Sequence, residues 1–259
     1  MAQGDKRVLA SSFGSAAGDY AAHRPDYAPA AVRWALEGAP GPRVLDLGAG
    51  TGKLTGTLVA MGVDVVAVEP DSAMLEELRR ELPGVRALAG SAERIPLPDG
   101  AVDAVVAGNA LHWFDMDVAG PEIARVLASG GSFAGLWNVL DDNVEWVAEV
   151  SRIGGSAVIG VRDTVSSWRA ATAELHLPGA GATARFGSAE QAEFTHGQRR
   201  TAETFAATLG TRAGVLVLPD QEREELMGRV RGFLDTDPAT AEAEFTLPLL
   251  TGVLRTRRM

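Results

Sequence analysis

Cysteine is missing from all 259 residues. Its absence excludes disulfide frameworks, thiolate metal sites and cysteine nucleophiles, and it fits a reducing, cytoplasmic setting. Histidine occurs only four times. Three of the four, His23, His176 and His196, show no metal-ligand spacing, so no metal is expected. A Ser-His-Asp pattern or nucleophile elbow is also missing. No apolar run reaches the roughly 18 residues of a membrane span, because Asp64 and similar charges interrupt each candidate. The opening stretch MAQGDKRVLASSFG has no long apolar signal core. Basic residues are in deficit: 24 Lys and Arg stand against 34 Asp and Glu, a net charge of −10. A surface this acidic repels phosphate backbones and argues against a nucleic-acid partner. The one basic run, RTRRM at the C-terminal end, reads as a solvated end. Internal repeats and low-complexity tracts are absent.

What is present is apolar and periodic. Hydrophobic residues make up 46% of the chain, enough for a substantial core. A single domain over 1–259 is expected, with an N-terminal arm at 1–28. Pro29 opens a helix to about Glu37. From there strands and helices alternate. RVLDLGAG, VDVVAVE (63–69), VRALAG, VDAVVAGN (102–109) and SFAGLWNV (132–139) read as strands. The helices between them start at about Gly52, at Ser72 with Ser72 as cap, and at Asp117 with a Gly-Gly end at 130–131. Five such alternations imply a doubly wound parallel sheet. Residues 140–200 hold helical spacings broken by glycines and Pro178, and are expected to form a substrate lid. Late strands at 192–200 and in AEFTLPLLTGVLRTRR flank two helices and suggest an antiparallel pair closing the sheet edge.

The chemistry centres on Gly48-Ala49-Gly50-Thr51-Gly52-Lys53. A dinucleotide fingerprint places its third glycine at position 53; here that residue is Lys53, and the pattern is GxGxG. Glycines without side chains let a ligand come close to the backbone. Glu69 ends the second strand, where an acid accepts both hydroxyls of a ribose. On spacing alone this serves a nicotinamide dinucleotide and a sulfonium nucleoside equally.

The blocks VLDLGAGTGKLT, VVAVEPD, GSAERIPLPDGAVDAVVAGNALHWFD and ARVLASGGSFAGLWN together resemble a class I S-adenosylmethionine-dependent methyltransferase of the small-molecule type. The resemblance covers about residues 11–140. It implies an α/β fold with a seven-stranded Rossmann-like sheet, mostly parallel with the last strand antiparallel, and helices on both faces. It also implies S-adenosyl-L-methionine as cofactor and S-adenosyl-L-homocysteine as product. By position, Gly48, Ala49, Gly50 and Gly52 would lie beside the methionine and ribose, with Asp46 beneath. Glu69 would hold the ribose, while Pro70 and Asp71 pack near the adenine. Ser91, Ala92 and Glu93 follow the third strand at the adenine amino group; Ser91 stands where the family has an acid. Asn109, followed by Ala110, would offer its carbonyl to the ammonium. The arm FGSAAGDYAAHRPDYAP spaces Phe13, Tyr20, Arg24, Pro25 and Tyr27 as in a trans-aconitate-type subgroup, in which the arm covers the cofactor. A tyrosine hydroxyl and an arginine fork suit a carboxylate, so Tyr20 and Arg24 are expected at the methionine carboxylate.

Methyl transfer from a sulfonium needs alignment and water exclusion first, and a base only when the nucleophile carries a proton. His112, just past the fourth strand, could be that base, a substrate hydrogen-bond donor or a cofactor contact. Trp113, Phe114, Trp137 and Asn138 lie at the same edge and are candidates for the acceptor pocket. Trp146 and Trp168 lie in the 140–200 stretch. The expected activity is methyl transfer to an oxygen, carboxylate or hydroxyl, of a small organic acceptor, as in secondary metabolism. The alternative is a methyltransferase fold that binds the cofactor but acts as a cyclase or a binding module. No membrane partner is expected; monomer and homodimer both stay open.

Overall fold

The computed structural model describes residues 17–160, 163–173 and 186–259. Phe13, Pro178 and His176, singled out above, lie outside the described residues, as do the start of the arm and part of the 140–200 stretch. In chain order the elements are α1 (Ala17–His23), α2 (Pro29–Leu36), β1 (Arg43–Leu47), α3 (Lys53–Ala60), β2 (Asp64–Glu69), α4 (Ser72–Glu81), β3 (Arg86–Ala89) and β4 (Val102–Gly108). A 3-10 turn at Leu111–Trp113 leads to α5 (Met116–Val126) and β5 (Leu127–Leu140). Then come α6 (Glu145–Val158), α7 (Val165–Ala173), β6 (Glu190–Arg200), α8 (Ala202–Gly210), α9 (Ala213–Leu216), α10 (Asp220–Leu234) and β7 (Phe245–Arg257).

The strands form one seven-stranded sheet in the order β3-β2-β1-β4-β5-β7-β6, with β7 antiparallel. Its parallel part is the doubly wound sheet that the alternation implies, and the seven strands with an antiparallel last strand are those that the resemblance implies. The parallel register runs Arg43↔Asp64 to Leu47↔Val68 between β1 and β2, and Val44↔Ala104 to Asp46↔Val106 between β1 and β4. The order reverses direction between β1 and β4, and in open α/β sheets ligands bind outside the strand ends at such a reversal.

Two compact units divide the described residues. One takes 26–137, 186–194 and 251–259; the other takes 17–25, 138–160, 163–173 and 195–250. The strands of the first are apolar because both sheet faces are covered. Val44, Leu45, Leu47, Val105, Val106 and Phe133 are all buried. The second unit has its own core around a triangle of rings. Trp146 lies 5.7 Å from Phe205 and 5.3 Å from Phe245, and Phe205 lies 6.2 Å from Phe245, each pair near perpendicular. Edge-to-face contacts of this kind match the ring quadrupoles.

Three local readings need correction. The cap of α4 is Asp71, not Ser72: its Oδ1 accepts from the amides of Ala73 and Met74 at 2.9 and 3.0 Å. A carboxylate at that position satisfies two orphan amides at once. Gly130-Gly131 does not end a helix. α5 stops at Val126, and the pairing of β4 with β5 slips between Val102↔Leu127 and Ala104↔Ser132. The glycines sit in that irregularity, Gly130 with φ of 76°. The late strands do close the sheet edge as expected, with β7 lying between β5 and β6. Finally, the basic C-terminal run is solvated only in part: Arg257 and Met259 are exposed, but the start of the run is not. Arg255 is buried on β7, its guanidinium 3.9 Å above the Trp34 ring and paired with Glu190.

Candidate active site

The loop after β1 is tied down before any ligand is considered. The amides of Gly48 and Ala49 both donate to the Val68 carbonyl on β2, at 2.8 and 3.1 Å. All three loop glycines have positive φ: 70° at Gly48, 57° at Gly50 and 90° at Gly52. Their surroundings separate their roles. A Cβ on Gly48 would meet Ala110 Cβ at 2.8 Å and Phe114 at 3.4 Å. One on Gly52, the N-cap of α3, would press on Leu78 and Leu82 at 3.0 and 3.1 Å. A Cβ on Gly50 would meet no atom of the described residues within 4 Å. Two glycines therefore let the chain pack on itself, and the third faces open space.

Glu69 closes one side of this loop. Its Oε2 accepts from the Gly50 amide at 2.8 Å and its Oε1 from the Asp71 amide at 2.9 Å. Two backbone donors hold the carboxylate in one orientation, and each oxygen keeps acceptor capacity for a further donor. Burial raises its pKa, against the lowering effect of the two amides. A vicinal diol is the kind of group that such an acid can take. Pro70 beside it is exposed.

Asp46 lies beneath the loop on β1 and is fully buried. Thr55, in the first turns of α3, donates to its Oδ2 at 2.6 Å; its Oδ1 has no hydrogen-bond partner among the described residues. Burial, with the nearby Glu69 charge adding to it, pushes the pKa of Asp46 up to about 7. Thr51 Oγ1, within the loop, is also buried and unpartnered. The sequence reading missed both threonines. A hydroxyl nine residues after a strand acid, in the first turns of the helix that packs on that strand, is the signal that could have found Thr55.

The opposite wall comes from the end of β4. Asn109 is the one non-glycine with positive φ among the described residues, at 51°, and its amide donates to Leu136 at 2.7 Å. This bend brings buried Ala110 against Gly48. His112 and Trp113 follow on the 3-10 turn, both half-buried, with ring centroids 4.8 Å apart. Phe114, also half-buried, reaches the loop at Gly48. Tyr27 was read only as part of the arm pattern. It is buried with its hydroxyl against Gly108, so closely that a Cβ there would lie 2.6 Å from it.

After β3, Ala92 is buried while Ser91 and Glu93 are half-buried. Glu93 accepts from the Asp115 amide at 3.0 Å, and Ser91 makes an isolated bridge with Arg94. Arg125 of α5 holds the segment that follows, donating to the carbonyls of Leu97 and Ile95 at 2.7 and 3.0 Å.

Trp137, Tyr20, Arg24 and Asn138 each have protein contacts of their own. Trp137 is almost wholly enclosed, packed over Gly135 together with Leu111. Tyr20, Arg24 and Asn138 belong to the other compact unit. There the Arg24 guanidinium lies 4.7 Å over the Tyr20 ring and donates to Thr211 Oγ1 and the Thr211 carbonyl at 2.9 and 3.1 Å. Asn138 Nδ2 donates to the Pro25 carbonyl at 3.1 Å.

Residues 45–135 match the family model described as a methyltransferase domain. An uncharacterized methyltransferase of Mycobacterium tuberculosis is 42% identical over 251 residues, covering 96% of this chain and 97% of that protein. One from Schizosaccharomyces pombe is 31% identical over 235 residues, covering 89% and 90%. A solved structure from Anaeromyxobacter dehalogenans, provisionally named a type II methyltransferase, superposes with a TM-score of 0.64 at 26% identity, covering 91% of this chain and 97% of that one.

Proposed function

This chain belongs to the class I S-adenosylmethionine-dependent methyltransferases, and from that premise we propose that it moves the methyl group to an oxygen of a small organic acceptor. The observation that carries the placement of the cofactor is the pair Gly50 and Glu69: one loop position open to a ligand, bordered by an acid that two amides aim. In this reading Glu69 holds the ribose hydroxyls, Gly48 to Gly52 line the nucleoside, and Pro70 flanks the adenine. Ser91, Ala92 and Glu93 form the adenine edge, and the Asn109 carbonyl with Ala110 faces the amino-acid end.

When bound, the cofactor supplies a methyl already made electrophilic by the sulfonium charge. The chain's own task is then alignment and exclusion of water. Phe114 beside Gly48 and Trp113 against His112 give an apolar border suited to keeping water out. His112 is proposed to take the proton of a hydroxyl acceptor; a carboxylate acceptor would need no base. Tyr20, Arg24 and Tyr27 have the arm spacing that supports a trans-aconitate-type subgroup and hence an acidic acceptor.

Incubation with a methyl-labelled donor and a panel of small carboxylic acids and alcohols tests the proposal. Label appearing as a methyl ester or ether supports it. Label confined to amine or carbon acceptors overturns the oxygen assignment. Thermal shifts separate the cofactor: S-adenosylhomocysteine should raise the melting temperature in proportion to ln(1 + [L]/Kd), and NADH should not.

A further inference from the structure

Asp46 sits in an unusual position for an acid. It is fully buried, and among the described residues one oxygen is held by Thr55 alone and the other by nothing. No cation offsets it among the described residues. Arg43 on its own strand is paired with Asp103 of β4 at the far end of the sheet, at 2.8 Å, and stands opposite Asp64 of β2. Lys53 of α3 faces Asp26 at 3.5 Å. The charged neighbour that acts on Asp46 is Glu69, also negative, at the end of the adjoining strand. Two buried acids and no counter-charge lie under and beside the loop where the proposed cofactor would rest.

The donor and the product of methyl transfer differ in one charge. The donor carries a sulfonium; the product carries a neutral thioether, and the amino-acid end is the same in both. A buried acid without a counter-ion responds to that difference, because a positive charge nearby favours its ionised form.

Resting on the cofactor reading above, we infer that Asp46 is the specificity-determining residue by which this chain tells the charged methyl donor from its uncharged product. With the site empty, Asp46 holds a proton for part of the time at neutral pH. A positive charge above the loop makes it release that proton to solvent. Once the charge is gone after transfer, Asp46 takes a proton back from solvent, and its attraction for the ligand is lost with its charge. The donor is thereby held more tightly than the product, and increasingly so as the pH rises through neutrality.

Isothermal titration with S-adenosylmethionine and S-adenosylhomocysteine, in buffers of different ionisation enthalpy between pH 6 and 8, measures the protons released. The expected result is release on binding the donor, clearly less on binding the product, and a donor-to-product affinity ratio that rises with pH. Asp46→Asn should abolish the difference in proton release. Should that variant not fold, Thr55→Val removes the hydroxyl that favours the ionised form, and should move the release to higher pH. Equal proton release by both ligands, or a difference that persists in Asp46→Asn, overturns the inference while leaving the cofactor site standing. Failure of both ligands to bind overturns the cofactor reading and this inference with it.

Discussion

At the scale of single residues, the three glycines of one loop separate by what surrounds them. Gly48→Ala should destabilise the fold, since its Cβ would come within 2.8 Å of Ala110. Gly50→Ala meets no atom of the described residues and should cost only the strain of positive φ, about 1–2 kcal/mol. It should nonetheless weaken S-adenosylhomocysteine binding at least as much as Gly48→Ala does, because the methyl enters the open space. Paired melting and titration curves check this; Gly50→Ala with unchanged affinity would remove the loop from the ligand. Glu69→Ala should cost about 1–3 kcal/mol of cofactor affinity through loss of a charged, aimed acceptor. His112→Ala should lower turnover on hydroxyl acceptors and spare the affinity for S-adenosylhomocysteine. The glycine spacing and Glu69 were legible in the sequence because a strand-loop-helix unit confines where they can lie. The two threonines were not, because their importance depends on burial and on a missing partner.

At the scale of elements, local chemistry marked the right segments and erred on their ends. α4 depends on the Asp71 cap, so Asp71→Ala should lower stability by about 1 kcal/mol. A denaturant midpoint that shifts while the slope m stays constant would show this. The Gly-Gly pair at 130–131 has the composition of a helix end, yet pairing with β4 draws the chain into β5 from Leu127 onward. Sequence pattern cannot separate these, because a left-handed glycine serves a helix end and a strand irregularity equally. In the second unit, Phe205 stands edge-on to Trp146 and to Phe245. Phe205→Ala would open a cavity there and should cost about 3–5 kcal/mol.

Across the whole molecule, the buried acids predict how stability follows pH. Asp46, raised to about 7, and Glu69, also raised, bind protons in the folded chain that the unfolded chain has released. Stability therefore falls as pH rises from the unfolded carboxylate value, about 4, to about 7. Asp103 and Glu122 are lowered, each first by its hydrogen bond to an arginine. Their contribution is complete above the unfolded value and is lost on acidification below it. The two trends together place the stability maximum of the ligand-free protein on the mildly acidic side of neutrality. Asp46→Asn should flatten the decline toward pH 7 in urea titrations across that range, and an undiminished slope would contradict the assignment. The alternating period of apolar runs, the GxGxG spacing and the acid at the end of β2 were enough to specify a doubly wound sheet and where the glycine loop and Glu69 lie on it, because hydrophobic periodicity and backbone conformation are local properties. The insertion of β7 between β5 and β6, the burial of Arg255, the enclosure of Trp137 over Gly135 and the orphaned oxygen of Asp46 came from folding alone. Each depends on which distant segments meet and exclude water, and no residue carries that information by itself.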